Sequence, residues 1–507
     1  MGSAYYYNGV RDSHKYSTSV SPLGSLRDIE DKDLHMLLES LCNLAGKSVE
    51  NLRVLHIGNI ANNAYLAAKS ERRLGIDSHV ISLDYTHIMG SPEWEHCRIS
   101  REQSDHFSED FTDCGCEYSR PIWFHSGSTV DVLETIQQHF NSIDPANNIQ
   151  NTKREILPKS QLEKFRNTTI SFGWRVLRPI GRKVIPIKFR AKIIGGLVHK
   201  FRKMSQVDLN PLFYNFDIVN FYGSSPSLLA NSNIQFNSKS KFVSTEHGTL
   251  RDYIFADYPL SVDTKSGYEL SKVIFVTNQD CLPIARSMGN PIVVAMPHPV
   301  NDEQIHSLRN LRRIKIQEAR KRILVPSRHS LALDIDRGKG NQTVYELIKS
   351  VAEVRNDLKF TLIAWGDNVK SAKELLTQEE SQGIVEWIDV VSRPLLKEMM
   401  AESLCILDQF KIEAYGAVTV DAIGLGVPVI TAHNCKNDFE YFGSCAPVLS
   451  ASNSEEILAT ILKIEAANLR DETLHFEYSC SWYDKNLSEI QSLHKRLDGY
   501  AKSYRGM

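Results

Sequence analysis

The chain has 507 residues, and its 59 Lys and Arg against 61 Asp and Glu leave a formal net charge of -2, a balance that argues against general nucleic-acid binding. This length predicts more than one domain, and the lack of a secretory signal or of about 18 continuous apolar residues predicts a protein that is soluble or bound to a membrane from one side. Nine cysteines, an odd number without framework spacing, indicate reduced thiols in a cytoplasmic protein.

Residues 1–50 are polar apart from an amphipathic segment near residue 40, and we predict an N-terminal appendage. Regular α/β alternation follows, with a strand at 53–57, a turn at 58–63, a helix at 64–74 and a strand at 79–83. Because βαβ crossovers are right-handed, this unit predicts a parallel sheet. The turn has Gly58 where a dinucleotide fingerprint needs three glycines, so we interpret it as a loop that faces a cleft.

Two stretches interrupt this alternation. The first, 84–119, is a polar and aromatic loop that is either an active-site cover or a disordered insertion. Its close cysteine pair, Cys114 and Cys116, has histidines nearby, but the spacing matches no zinc pattern and we predict no metal site. The second stretch, about 144–210, is an insertion within the N-terminal domain.

Residues 175–204, inside that insertion, carry ten Lys or Arg and no acid, interleaved with apolar residues. This makeup is typical of a segment that lies on an anionic membrane surface. A solvated basic helix that packs its apolar side on the domain stays open as an alternative, because prolines and a Gly-Gly pair break any continuous amphipathic helix. The segment has too few aromatic residues to favour single-stranded nucleic acid.

Three further strands are predicted at 217–223, 241–245 and 272–277. In α/β sheets, ligands bind outside the carboxyl ends of the strands. His247 and Arg251 follow the second of these strands and are therefore candidates for a site.

A strand at 291–296 ends an N-terminal domain that we place at 51–300, and the charged segment 301–321 is interpreted as an interdomain linker. A second α/β domain is predicted at 322–475, followed by a helical segment at 476–507. Its predicted strands are 322–326, 360–364, 383–388 and 403–407.

The stretch from Glu413 to Thr431 combines two acids eight residues apart, a glycine between them, and Gly-x-Pro before a β-branched run. It predicts a loop, a short helix and a buried strand. Asp421 then lies inside the helix, about two turns from Glu413. The free backbone N–H groups at Gly416 to Val418 would attract an anion at the helix start. A phosphate there, with carboxylates for hydroxyl groups, fits a sugar nucleotide.

Taken together, these features resemble a glycosyltransferase of the GT-B fold, that is, α/β with two Rossmann-like doubly wound domains facing a cleft. The retaining family-four enzymes are the most similar. The resemblance is strongest over about 320–440, where strand, Arg/Lys loop, strand, Gly-Asp, strand, acid-x7-acid and Gly-x-Pro-Val-Ile follow in order. In the N-terminal half it covers the Gly58 loop, His247-Gly, 273–278 and Pro297-His-Pro-Val-Asn.

The resemblance implies that Glu413 lies near the donor sugar and that Asp421 binds the nucleotide ribose. The family usually has Glu at the second position, so Asp421 is one methylene shorter and must reach further or bind through water. Gly416, Ala417 and Val418 would contact the donor through the start of the helix.

The resemblance also assigns Arg328 and Lys339 to a basic pair that holds the diphosphate and stabilises it as a leaving group. Arg337 competes with Arg328 for this role, because the loop between the pair is longer than usual. Guanidinium, ammonium and helix amides together would neutralise the diphosphate without a metal.

His247 matches a histidine that faces the donor sugar in the family, whereas a lone histidine is more often a core or loop hydrogen-bonder. Gly58 would let the backbone approach the acceptor or the diphosphate. Trp387 begins the segment 387–391, where the family holds the base mainly through its backbone. The segment 476–507 would pack back on the N-terminal domain.

We therefore expect a hexosyltransferase-type enzyme that uses a UDP- or GDP-sugar, needs no cofactor, and glycosylates a glycan or lipid-linked acceptor. We expect it in the cytoplasm, with peripheral binding at the inner face of the membrane as an option. Two alternatives stay open: a binding or scaffold protein that keeps the fold without activity, which the shortened acid at Asp421 suggests, and a sugar-nucleotide epimerase, which needs no acceptor.

Overall fold

The structure is a computed structural model that describes residues 31–83, 88–101, 116, 118–127, 136, 210–231, 240–251, 253–256, 259–289, 291–315, 321–330, 338–467 and 469–506. Two parallel sheets, each flanked by helices, form two α/β domains. The predicted α/β class with two Rossmann-like domains is confirmed. The basic segment 175–204, with its expected membrane contact, lies outside the described residues, as does Arg337.

The first domain contains a seven-stranded parallel sheet. The strands of this part of the chain are β1 Arg53–Ile57, β2 Asp77–Leu83, β3 Ser100–Arg101, β4 Phe124–Gly127, β5 Ile218–Tyr222, β6 Lys241–Thr245, β7 Val273–Val276 and β8 Ile292–Ala295. Their order in the sheet is β4-β2-β1-β5-β6-β7-β8, and β3 lies outside it. The helices are α1 Lys32–Ala45, α2 Asn63–Arg73, α3 Glu93–His96, α4 Asn210–Phe213, α5 Ser227–Asn231, α6 Pro259–Leu270 and α7 Leu282–Ser287.

The second domain contains a six-stranded parallel sheet. Its strands are β9 Arg322–Val325, β10 Lys359–Ile363, β11 Val385–Ile388, β13 Cys405–Leu407, β14 Val429–Thr431 and β15 Leu449–Ser450, with β12 Val390–Val391 outside the sheet. The order is β11-β10-β9-β13-β14-β15. The remaining helices are α8 Asp302–Lys315, α9 Asn341–Val354, α10 Val369–Leu375, α11 Thr377–Ser381, α12 Arg393–Ala401, α13 Ala417–Gly424, α14 Cys435–Phe442, α15 Ser454–Ala466, α16 Leu469–Asn486 and α17 Glu489–Arg505.

Strand order reverses between β1 and β5 in the first sheet and between β9 and β13 in the second. Every residue of β5, β7 and β13 is buried, as expected for strands covered by helices on both faces. In such sheets a crevice opens at the carboxyl ends of the strands where the order reverses. A ligand-binding site is therefore expected at these two reversal points.

The first helix belongs to the N-terminal domain, so the predicted appendage at 1–50 requires correction from residue 31 onward. Asp31 caps α1 by accepting from the backbone N–H of Leu34 at 2.9 Å, and Leu34, Leu38 and Leu41 are buried. Their apolar face joins a core that also contains Leu497 of α17. The last helix therefore packs on the first domain, beside α1.

The charged segment 301–321 is not an extended linker, because 302–315 forms helix α8. The guanidinium of Arg312 is buried and donates to the backbone carbonyl of Ser403 at 2.6 Å, and Arg309 donates to that of Gly424 at 2.8 Å. Burial lowers the pKa of Arg312 to about 10. These arginines of the predicted interdomain linker thus bind backbone carbonyls of the second domain.

Four cysteines form two disulfides, Cys97 with Cys116 and Cys435 with Cys445. The expectation of reduced thiols is therefore wrong for these four. The free thiols of the described residues, Cys42, Cys281, Cys405 and Cys480, are all buried. Chain folding brings the pairs together across 19 and 10 residues, which the spacing of the cysteines alone does not reveal.

Within the described ranges, no helix combines the length and the apolar character needed to cross a bilayer.

Candidate active site

The strand-order reversal of the second domain is built around Asp408, which directly follows β13. Its backbone carbonyl and its carboxylate accept from the hydroxyl of Ser327, at 2.7 and 3.1 Å. Ser327 lies two residues after the end of β9, and Thr419 in α13 donates to the other carboxylate oxygen at 2.7 Å. Asp408 therefore ties β9, β13 and the first turn of α13 together and fixes the floor of the crevice.

The first turn of α13 faces this floor. Gly416 is the N-cap residue, and no side chain caps the helix. Gly416, Ala417 and Val418 are all partly exposed, in contrast to the buried residues 419–424 that follow. Backbone N–H groups at such a helix start attract anions. The first turn of α13 is thus accessible, and its binding of an anion stays a prediction.

Lys339 lies in the loop between β9 and α9. Its Nζ donates to Gln409, and its backbone carbonyl accepts from the N–H of Phe410 at 2.9 Å. Gly340, with φ of 74°, allows this close approach, since a Cβ there would lie 2.8 Å from the Cβ of Phe410. Burial lowers the pKa of Lys339, Asp408 opposes the shift, and the charge of Arg328 adds to it. The two cations predicted as a pair therefore act on each other.

His247 follows β6 in the first domain. Its Nδ1 lies 2.8 Å from the side-chain amide nitrogen of Asn63, the first residue of α2. An amide NH2 donates, so Nδ1 accepts and the proton of the neutral ring is on Nε2. Burial, with the charges of Arg251 and Lys339, lowers the pKa of His247 to about 4. His247 belongs to the first domain and Lys339 to the second.

The turn after His247 is held by two carboxylates, the partly exposed one of Asp280 and the buried one of Glu246. Arg251 donates through two nitrogens to Asp280, one of them at 2.9 Å. Glu246 accepts from the side chain of Asn278 at 3.0 Å and from the backbone N–H of Gly248. Burial is the largest influence on Glu246 and raises its pKa. These contacts hold His247 at the end of its strand.

The two domains touch beside the loop that carries Glu413. The backbone N–H of Tyr415 donates to the side-chain oxygen of Gln279, in the turn that follows β7, at 3.3 Å. Tyr441 donates to the backbone carbonyl of Val276 at 2.6 Å. Glu413 itself is exposed, and its carboxylate accepts from Asn434 at 2.9 Å. The loop is thus anchored against the first domain, while the Glu413 carboxylate stays reachable from solvent.

Asp421 does not line an open crevice, so the predicted ribose contact would require the carboxylate to leave its present partner. Its side chain is 0% exposed, and its two oxygens lie 3.0 and 2.8 Å from the Nη2 of Arg393, at the start of α12. Glu95 of the first domain lies 4.0 Å from the Nε of Arg393. The shorter acid therefore belongs to a buried charge cluster between the domains.

Another contact between the two domains covers the expected base-binding segment. β3 and β12 pair antiparallel, and Ile99 and Ser392 exchange hydrogen bonds of 2.9 Å to the side chain and 2.8 Å to the backbone. The loop 84–119 is therefore an interdomain contact where the structure describes it. Trp387 packs against the hydrophobic core of the second domain, and its ring centroid lies 5.0 Å from that of His329. Any base held at 387–391 must share that backbone with β3.

Gly58 has φ of 89°, and a Cβ there would lie 2.7 Å from the hydroxyl of Ser225. Its backbone N–H donates to the carbonyl of Ile81 at 2.8 Å. The glycine is therefore required for close packing at the first strand-order reversal, and its amide is used within the sheet rather than offered to a diphosphate.

Four residues described above, Asp408, Gln409, Asn63 and Arg393, were not among the residues predicted for the site. For the first two a signal existed, because both directly follow a predicted strand, where ligand-binding residues of α/β sheets gather. Asn63 and Arg393 reach their partners across the fold, and nothing in the local sequence pairs them with His247 and Asp421.

Neither a protein-family profile nor a curated protein sequence matches the chain. Solved structures do. The Anabaena protein HepE in complex with UDP and glucose is 12% identical, over 88% of this chain and 98% of HepE, with a TM-score of 0.50. The N-terminal domain of trehalose-6-phosphate phosphatase from Candida albicans is 11% identical, over 89% and 97%, with a TM-score of 0.53. A glycosyltransferase from Rickettsia africae is 15% identical, over 89% and 98%, with a TM-score of 0.48. The chain has the GT-B fold, as predicted.

Proposed function

We propose that this protein is a retaining glycosyltransferase that moves a sugar from a nucleotide-sugar donor to an acceptor hydroxyl. The observation that carries the proposal is the uncapped and partly exposed start of α13 at the crevice of the second domain, beside the interdomain contact between Tyr415 and Gln279. HepE, which shares the fold, is seen with UDP and glucose, and this supports a UDP-sugar as the donor, with a GDP-sugar as the alternative.

The cations act on the leaving group. When the bond between the sugar and the phosphate breaks, both bonding electrons stay on the diphosphate oxygen, and negative charge grows there. Lys339, Arg328 and the amides of residues 416–418 offer positive charge and N–H groups to that oxygen and its neighbours. Together these groups neutralise the diphosphate without requiring a metal ion.

The acceptor hydroxyl attacks the anomeric carbon from the face that the diphosphate leaves, so the configuration is retained. Its proton passes to the departing diphosphate oxygen, which is the base of the reaction. The neutral ring of His247 donates from Nε2 to a sugar oxygen, and the exposed carboxylate of Glu413 accepts from sugar hydroxyls.

The direct test is a panel of UDP- and GDP-sugars, scored first by thermal stability and then by transfer. A donor at 100 times its dissociation constant should stabilise the folded protein by about 2.7 kcal/mol. Hydrolysis or transfer from the same donor then establishes turnover. If no nucleotide sugar raises the melting temperature or is consumed, the proposal fails.

His247 should stay neutral over the working pH range. Its pKa, lowered to about 4 by burial and by Arg251 and Lys339, predicts that it causes no change in kcat/KM between about pH 5.5 and 8. Between about pH 6.5 and 4 the unfolded chain binds a proton at His247 that the folded chain does not, so stability should fall as the pH falls through that window.

The measurement is a 13C-histidine NMR titration, with His247→Gln to assign the signal. The hydrogen bond from Asn63 to Nδ1 stabilises the neutral ring of His247. The variant Asn63→Leu removes this bond and should therefore raise the pKa of His247. A wild-type His247 that titrates near 6.5 would contradict the arrangement described for the site.

We also infer that the acceptor is lipid-linked and that 175–204 brings the enzyme to an anionic membrane. Changing Lys200, Arg202 and Lys203 to Gln should weaken binding to anionic vesicles by about 100-fold, at about 1 kcal/mol for each cation. A matched control changes three exposed lysines of the second domain to Gln: Lys370, Lys463 and Lys485. Sedimentation with anionic and neutral vesicles, at low and high salt, measures the effect. Salt-insensitive binding, or none, removes the membrane and the lipid-linked acceptor from the proposal.

A binding protein without transfer activity is the second candidate, because Asp421 is committed to Arg393 rather than to an open pocket. It predicts that a nucleotide sugar raises thermal stability but is neither hydrolysed nor transferred to any acceptor. Turnover of the stabilising donor decides between the two functions.

A further inference from the structure

Three potential metal ligands converge next to the Glu413 loop. One ligand atom each of His433, Asp438 and Cys445 lies within 4.8 Å of the other two. The Nε2 of His433 is 2.8 Å from a carboxylate oxygen of Asp438 and 3.7 Å from the sulfur of Cys445. A histidine nitrogen, a carboxylate oxygen and a cysteine sulfur that lie this close together belong to the ligand types that bind zinc.

A fourth ligand is adjacent. Cys435, the first residue of α14, is joined to Cys445, with a distance of 5.2 Å between their Cα atoms. Asn434 caps this helix by accepting from the backbone N–H of Lys436 at 3.1 Å. All four candidate ligands therefore lie on one short loop-helix-loop segment after β14.

The spacing of the ligand atoms fits a zinc ion. With bonds of about 2.3 Å to sulfur and about 2.1 Å to nitrogen, tetrahedral geometry places the two atoms about 3.6 Å apart. The nitrogen of His433 and the sulfur of Cys445 are 3.7 Å apart. Nitrogen and oxygen ligands would be about 3.4 Å apart on the same geometry, so the ion would replace the hydrogen bond between His433 and Asp438 after a movement of well under 1 Å.

Groups around the cluster hold the carboxylate in place. The oxygen of Asp438 that faces His433 also accepts from the hydroxyl of Tyr415 at 2.6 Å and from the backbone N–H of Ala446 at 2.8 Å. Hydrogen-bonded carboxylate ligands are the rule in metal sites, because the outer partners orient the ligand.

We propose that His433, Cys435, Asp438 and Cys445 hold one structural zinc ion when the two cysteines are thiolates. The same two sulfur atoms either form the disulfide or bind the ion as thiolates, so the two states exclude each other. Two thiolates and an imidazole favour zinc over magnesium or calcium, which prefer oxygen ligands. Four protein ligands leave no open position, so the ion stabilises the segment and takes no part in chemistry.

The site would fix the loop that carries Glu413. Asn434, between two of the ligands, donates to the Glu413 carboxylate at 2.9 Å, and Tyr415 donates to the ligand Asp438. The ion therefore ties residues 413–415 to the segment after β14. This inference does not depend on the proposed transferase activity, because zinc binding is measured directly.

The experiment uses the full chain, reduced with a phosphine, incubated with zinc chloride and freed of unbound metal by gel filtration. Metal analysis should find about one zinc per chain. Bound zinc should also protect Cys435 and Cys445 from alkylation in the wild-type protein, a measurement that needs no variant. Cys445→Ser and His433→Ala should each weaken zinc binding by at least about tenfold, whereas the double variant Cys97→Ser with Cys116→Ser, which removes the other disulfide, should keep one zinc.

Three results would overturn the proposal. The first is reduced wild-type protein that binds no zinc, and the second is zinc that remains at full stoichiometry after both Cys435 and Cys445 are changed to Ser. The third is a Cys435–Cys445 disulfide that stays intact under reduction and excludes the metal. Replacing zinc by Co2+ adds a separate readout, because thiolate ligands produce charge-transfer absorption that the wild-type protein should show and Cys445→Ser should weaken.

Discussion

Replacing Lys339 by alanine should lower the rate of sugar transfer by about 100-fold to 1,000-fold, the usual effect of removing one group that stabilises developing charge. Lys339 is held by Gln409 next to Arg328, in the crevice of the second domain. The diphosphate gains its extra charge only as the bond breaks, so the loss should appear in kcat more than in KM. Steady-state kinetics with the stabilising donor measures both.

The fold should survive this change. Burial disfavours the charged form of Lys339 and lowers its pKa. Replacing the side chain by alanine removes this desolvation cost from the folded state. Thermal unfolding of Lys339→Ala should therefore match the wild type, and Lys370→Ala, at an exposed lysine on α10, is the matched control for activity. Lys339→Arg should recover part of the rate, because the charge returns in a planar group. Wild-type turnover by Lys339→Ala would contradict the proposed role of Lys339 in stabilising the leaving diphosphate.

The fold was predictable because its signal is local and repeated. Short apolar runs such as 53–57 and 360–364 alternate with helical patterns, and each βαβ unit dictates parallel pairing with its neighbour. The predicted boundaries differ from the observed ones by a few residues, as with the strand predicted at 79–83 that begins at Asp77. Arg-rich α8 was missed as a helix because its arginines bind carbonyls of distant elements, a property that composition does not reveal.

The candidate site was predictable where it follows strand ends. Lys339, Gly416 and His247 all lie in the loops that follow strands, as expected, and their roles in donor binding stay predictions. Side-chain partners were not predictable. Asp421 is paired with Arg393, and Cys435 is bonded to Cys445. Both partners are set by tertiary contacts, which the local sequence does not reveal.

Replacing Arg393 by methionine should destabilise the protein by about 3–5 kcal/mol, because it leaves the carboxylate of Asp421 buried without its partner. Arg393 and Asp421 have side chains that are 9% and 0% exposed, and Glu95 adds a second acid 4.0 Å from the guanidinium. Burial opposes the charge on Arg393, but the two acids outweigh it and raise its pKa. The free energy of unfolding, from urea titration followed by circular dichroism, measures the loss.

The matched control is Arg322→Met, which breaks the exposed pair with Glu402 at 3.9 Å and should cost at most about 1 kcal/mol. The double variant Arg393→Met with Asp421→Asn should recover much of the loss, because the buried charge is removed together with its partner. A cost for Arg393→Met no larger than that of Arg322→Met would contradict a buried interdomain ion pair.

The single variant Asp421→Asn then separates structure from donor binding. If Asp421 serves only Arg393, this variant should lose stability and keep the dissociation constant of the nucleotide sugar within about twofold, measured by calorimetry on the folded protein. A loss of more than tenfold in donor affinity, or about 1.4 kcal/mol, would mean that the carboxylate leaves Arg393 for the ribose when the donor binds. The ion pair would then be a contact that donor binding exchanges, and the shorter acid would keep the role that its position in the sequence implies.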